Sequence, residues 1–209
     1  MPKLPALASV LLAAVLLLWT DAASAADVII GSVLAVRGEV WREDGATHEA
    51  LTAREPLHPA DTIVSGAGKA KISLNDGSII SIGENSRVSL AEYQSVSNGL
   101  RTRLRLLAGA LRLLVNRITA GGQFEIETDT ALAAVRGTDW LIEAVPDRTS
   151  VAILRGAVAV SGRGAFAQTT VVLDRPGQGV DIRPGAAPGA VTPWGAQRLA
   201  DTLARATYD

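Results

Sequence analysis

The sequence predicts an all-β domain followed by a short C-terminal helix, and three observations carry that prediction. Between Asp27 and about Arg183 the chain is a succession of short β-branched or alternating runs separated by glycine turns. No stretch in that interval sustains the 3.6-residue apolar period of a long helix. Two hairpin signals, Asp76-Gly77 and Asn98-Gly99, fall between alternating segments.

Taken in order, residues 69–74 alternate with Ala70, Ile72 and Leu74 on one face, and Asp76-Gly77 supplies the positive φ angles of a tight turn into 78–82. Residues 86–90 and 101–106 form a second hairpin around Asn98-Gly99, with 91–97 lengthening or distorting its first strand. Phe124 and Ile126 alternate with Glu125 and Glu127, Trp140 and Ile142 with Asp139 and Glu143, and Ala157 and Ala159 with Val158 and Val160. This is the pattern of antiparallel sheets with one buried and one wet face. From 184 to 193 proline and glycine mark a linker, and 194–207 reads as a helix with Thr192 as N-cap and Pro193 at N1. Leu199 and Leu203 share a face with Ala196 and Ala206. About fourteen residues are too few for a stable isolated helix, so this one is expected to dock on the β-domain or on a partner.

The N-terminus reads as a signal peptide over residues 1–25. Lys3 provides the positive region, residues 7–19 the apolar core, and Ala23-Ser24-Ala25 the cleavage site. The apolar run falls short of the roughly 20 residues needed to span a bilayer, so cleavage before Ala26 is expected, with no integral membrane span afterwards and a periplasmic or secreted location. The remainder suits one domain, over 26–183, with the linker and helix appended. There is no cysteine, hence no disulfide and no lipid-anchored N-terminal cysteine. Lys and Arg total 20 against 21 Asp and Glu, a net charge of −1, which excludes the basic field of a nucleic-acid binder.

Little of the sequence points to catalysis. His48 and His58 lie in turn-rich segments with no cysteine to help them, and they read as loop residues rather than metal ligands, so no cofactor is expected. Glu125 and Glu127 would line one face of a strand at a spacing like that of paired glycosidase acids, yet acids on a wet strand face are ordinarily solvated. Arg101, Arg103 and Arg105 form the complementary stripe. Cross-strand ion pairing, with Arg103 and Glu127 as the trial pair, and a basic strip for an acidic partner both remain open for it. Ser65-Gly66-Ala67-Gly68-Lys69 lacks the first glycine and the hydroxyl of a phosphate loop and reads as a turn. Trp140 is assigned to the core, and Trp41, beside Arg42, Glu43 and Asp44, to an exposed contact. Val36-Arg37-Gly38, Val135-Arg136-Gly137 and the looser Leu154-Arg155-Gly156 form a weak repeat, read either as glycine-permitted bends or as a row of arginines.

The ordered motifs at 31–40, 57–66, 74–78, 107–111, 124–128, Ala134-Val135-Arg136-Gly137-Thr138, 154–158 and 172–177 resemble those of the FecR domain, over roughly residues 29–183. That family is an all-β extracytoplasmic module of sensors that relay an outer-membrane signal through a membrane span to a cytoplasmic sigma-factor regulator. The resemblance implies a FecR-like β-sandwich or short β-solenoid-like domain of about a dozen strands, with Gly77, Arg136, Gly137, Thr138 and Trp140 as its structural signature. A signal peptide leaves no room for the cytoplasmic relay, so a direct hold on a sigma factor is not expected. The expected protein is therefore a non-catalytic exported interaction or ligand-sensing module of the cell envelope. Its partner would be an envelope protein or polysaccharide, met through Arg101, Arg103, Arg105 and Trp41. The alternatives are a polysaccharide-binding or assembly scaffold and, more remotely, a carbohydrate-active enzyme using Glu125 and Glu127.

Overall fold

The computed structural model describes residues 28–44, 47–96, 99–118 and 121–208; the expected signal peptide and Asn98 lie outside the described residues. The chain winds back and forth between two sheets, A and B. It enters sheet A with β1 (Gly31–Arg37), crosses to sheet B for β2 (Val40–Asp44) and β3 (Thr47–Ala50), returns to A for β4 (Pro56–Leu57), and crosses again for β5 (Thr62–Ser65). Hairpin β6 (Lys69–Leu74) and β7 (Ile79–Ile82) lies in A, and β8 (Arg87–Val96) in B. The long β9 (Gly99–Leu114) starts in B and finishes in A. Hairpin β10 (Gln123–Glu127) and β11 (Ala131–Val135) is in B, and β12 (Asp139–Val145) with β13 (Arg148–Arg155) in A. The last crossings give β14 (Val158–Gly162) and β15 (Thr170–Leu173) in B, then β16 (Gln178–Ile182) and β17 (Thr192–Pro193) in A, followed by helix α1 (Ala196–Ala206).

In space sheet A runs β4, β1, β6, β7, β9, β12, β13, β16, β17, and sheet B runs β3, β2, β5, β8, β9, β10, β11, β14, β15. Every pairing is antiparallel except β9 with β10, which is parallel. The count exceeds the expected dozen because pieces as short as β4 and β17 carry no periodicity that a sequence can display. One core fills the space between the layers. Ile72, Ile80, Leu111 and Trp140 of sheet A meet Ile63, Val88, Leu104 and Ile126 of sheet B, each at most 1% exposed.

The arginine-glycine repeat marks corners. Gly38, Gly137 and Gly156 stand where the chain leaves one sheet for the other, and each has a positive φ, of 72°, 94° and 96°. A residue without Cβ reaches that region at no steric cost, so the bend is what the repeat encodes. Ser65-Gly66-Ala67-Gly68-Lys69 is a further corner, between β5 and β6. The β6–β7 hairpin forms as expected, except that Gly77 alone among its turn residues has a positive φ, of 78°, while Asp76 accepts the Ser78 amide through Oδ1. The second hairpin joins β8 and β9, with register shifts in β8 between Arg87 and Val88 and between Ser89 and Glu92.

The C-terminal segment departs from expectation in detail. Thr192 and Pro193 are strand β17, paired with Gly179 and Gln178, so they cannot cap a helix; α1 begins after Gly195, which offers no capping side chain. The helix docks on its own domain. It covers the outer face of sheet A, where Leu199, Leu203 and Ala206 pack with Leu141, Ala152 and Trp194. Both faces of β12 are consequently covered, and Glu143, expected on a wet face, is 9% exposed and holds Arg205 through Oε1 at 2.8 Å and Oε2 at 3.3 Å. Lys69 donates to the carbonyls of Ala204 and Thr207 at 2.7 and 3.1 Å, satisfying acceptors that a helix C-terminus leaves open. Arg198 lies 3.7 Å over the Trp194 ring and pairs with Asp181. No helix among the described residues is long and apolar enough to cross a membrane.

Asp181 gives this docking a pH dependence. Burial alone would push its carboxyl up, but hydrogen bonds from Arg198 and Ser150 outweigh that and hold it below the usual aspartate range. A carboxylate depressed in the folded state stabilises above its unfolded value, near 3.8, and loses that contribution as pH falls through the lower folded value. Asp181→Asn is therefore expected to narrow its stability gap to the parent as the pH is taken below about 4. Urea midpoints measured at pH 7 and in acid check this, and a constant gap would contradict it.

Candidate functional site: the outer face of sheet B

The structure gathers the charged stripes on the outer face of sheet B. Because β9 and β10 run parallel, Arg101 stands beside Gln123, Arg103 beside Glu125 and Arg105 beside Glu127. Arg103 donates to Glu125 from Nε at 3.1 Å and Nη2 at 2.8 Å, and on its other side lies 3.6 Å from Glu92 of β8. The hydrogen bond to Glu125, foremost, raises the already high pKa of Arg103. Glu127 is taken by Arg163 at 2.7 Å, and Arg105 reaches Asp129 at 3.4 Å. The trial pair of Arg103 with Glu127 is thus two residues out of register; the stripes pair in parallel. Ion pairing between the stripes is the arrangement observed, and both acids of the remote glycosidase reading are engaged by arginines.

A double-mutant cycle of Arg103→Glu with Glu125→Arg is expected to show coupling of about 0.5–1 kcal/mol, limited by solvent at the partly exposed arginine. Zero coupling, measured by urea unfolding, would show that the pair has no energetic part in fixing the register.

Two further features lie on opposite sides of this ladder. Trp41, on β2, is half-buried rather than exposed, because the β2–β3 hairpin lays His48 over its ring at 5.9 Å between centroids and 24° between planes. Three sheet positions separate β2 from β9, at about 4.8 Å each, so Trp41 and the arginines do not form one compact site. His48 lies 3.9 Å from Glu43 and His58 3.8 Å from Asp61, so the two histidines serve different carboxylates.

On the other side, beyond β10, the face turns apolar. Ala134, Ala157 and Ala159 floor an open groove of about 510 Å³, with Val172 along one wall and Glu125 and Arg136 at its rim. Side chains on β11 and β14 are small here, which makes the depression. Of the signature residues, Arg136 lines the groove, and the others shape the corner beside it or lie elsewhere. Val135 and Trp140 are buried on either side of the corner, Arg136 is exposed, and Thr138 exchanges backbone hydrogen bonds with Val115 at 2.8 and 3.1 Å. A Cβ at Gly137 would stand 3.1 Å from the Cα of Arg117. Gly137→Val is expected to cost about 2–3 kcal/mol, chiefly from the positive φ. A melting temperature within 1 °C of the parent would show the corner to be tolerant, since that cost implies several degrees.

Sequence reasoning missed the groove, because it named the residues of each strand without knowing which strands adjoin. The order β10, β11, β14, β15 skips two strands, and only that skip sets Ala134 beside Ala159.

This is a two-sheet, all-β domain with ion pairs and a shallow groove on the outer face of sheet B. Residues 61–159 match the family model described as FecR protein. Its fold is similar to that of a candidate anti-sigma factor from Parabacteroides distasonis, solved at 2.50 Å and again at 1.65 Å. In each case the TM-score is 0.54 and the identity 17% over 67% of this chain. The match spans 62% of that protein's structure. No curated protein sequence matches the chain.

Proposed function

We propose that this protein is an exported, non-catalytic module of the cell envelope that takes part in signalling by binding a protein partner on the outer face of sheet B. The observation that carries the reading is the position of the groove within the FecR domain: Glu125, Ala134, Arg136, Ala157 and Ala159 all lie inside the matched residues 61–159. An apolar floor with one acidic and one basic rim residue suits an apolar side chain of a partner flanked by polar contacts. The ion-paired stripe beside it supplies a rigid wall, since Glu125 serves both.

Export is tested by fractionating cells that carry the tagged chain with and without residues 1–25; retention of both in the cytoplasm would remove the envelope from the proposal. Binding is tested by placing a photo-crosslinking residue at Ala159 and, as control, at Leu34, which is exposed on sheet A. Crosslinks to one envelope protein from position 159 alone are expected. Equal crosslinking from both positions, or turnover of a glycan by the purified chain, would overturn the reading.

A further inference from the structure

Sheet edges expose unpaired N–H and C=O groups, and proteins ordinarily blunt them with charge, proline or brevity. Three outer strands here are blunted. On sheet B, β3 carries exposed His48 and Glu49. On sheet A, β4 and β17 are two residues long and each contains a proline. The remaining outer strand, β15, pairs only with β14 among the described residues. It has the sequence Thr170-Val171-Val172-Leu173, without charge or proline, and Val172 is 54% exposed.

We infer that β15 is a self-association edge, on which a second copy of this chain adds its own β15 antiparallel about a two-fold axis at Val172. Alternation allows this register, because Val171 and Leu173 point inward and Val172 outward, and antiparallel partners opposite one another share a face. Val171 of one copy then faces Leu173 of the other on the core side, Val172 faces Val172 on the outer side, and Thr170 faces Asp174. The next residues out set Arg175 against Thr169, so no like charges meet directly. The strand's neutrality is what selects a copy of itself, since any partner strand must be apolar on the core side and uncharged at the centre, and β15 already is. The pairing uses main-chain groups and leaves each groove open, so the two floors of Ala134 and Ala159 form one strip across the seam. This inference does not depend on the partner proposed above.

The chain has no cysteine, which makes the test direct. In Val172→Cys the two sulfurs would lie across the two-fold axis, and oxidised glutathione is expected to convert the protein to a covalent dimer; Leu34→Cys, also exposed but on the other sheet, is expected to stay monomeric. Sedimentation of the cysteine-free parent should show a concentration-dependent dimer, because a four-residue strand pair buries little surface. Val172→Lys should abolish it without changing the melting temperature. A parent that remains monomeric into the millimolar range overturns the inference. So does a dimer that persists in Val172→Lys, or crosslinking that is no faster at 172 than at 34.

Discussion

Gly109→Val is expected to cost on the order of 3–6 kcal/mol, a large share of a domain's usual 5–15 kcal/mol of stability. Gly109 is where β9 leaves sheet B for sheet A, with φ at 93°. Its missing side chain is occupied by Ser86, since a Cβ would stand 2.1 Å from the serine Oγ and 2.4 Å from its Cα. Ser86 cannot withdraw, because it is 1% exposed, its Oγ accepts the Ala110 amide at 3.0 Å, and its amide donates to Ser65 Oγ at 2.9 Å. The cost combines about 1–3 kcal/mol for the backbone conformation with about 1–3 kcal/mol or more for overlap against a fixed neighbour. A urea midpoint near that of the parent would show that the joint between the sheets relaxes freely.

Deleting residues 194–209 is expected to lower stability by about 2–4 kcal/mol, from apolar area uncovered at roughly 25 cal/mol per Å² over Leu141, Ala152 and Leu154. In a domain of this size that corresponds to a fall in Tm of about 4–15 °C. Stability unchanged by truncation, together with unprotected amides over 199–206 in the full chain, would mean that α1 leaves its seat in solution. The seat itself is built for it. Gly83 would place a Cβ 2.2 Å from the Arg205 carbonyl oxygen, and a Cβ on Gly179 would collide with the Trp194 indole.

Those two glycines show what the sequence could have told and what it could not. Strands and hairpins were legible because alternation and turn chemistry are local: Ala70, Ile72 and Leu74 face the core as their spacing implies, and Phe124 and Ile126 do likewise. The resemblance to FecR proteins was legible from the order of the turns, and residues 61–159 match that family's model. Register was not, because the stripe of Arg101, Arg103 and Arg105 has the same appearance whichever strand adjoins it and in whichever direction that strand runs. Glu143 was misread for a similar reason: its partner Arg205 comes from the far end of the chain, as do the Ala204 and Thr207 carbonyls that accept from Lys69. Gly179, inside a strand where no turn needs it, was the available sign that something presses on that face.

The back-and-forth path of the chain also bears on how it must fold. The chain crosses repeatedly between the layers, so neither layer is complete until strands well separated along the chain have met. β1 waits for β6, β2 for β5, and β11 for β14. The parallel pairing of β9 with β10 closes a further loop. Chains dominated by such distant pairings reach the native state in milliseconds to seconds rather than microseconds, because loop entropy is lost before contacts compensate for it. During that interval Thr170-Val171-Val172-Leu173 has β14 on one side through a local hairpin and an open edge on the other, which exposes the last hairpin of sheet B to premature aggregation during refolding.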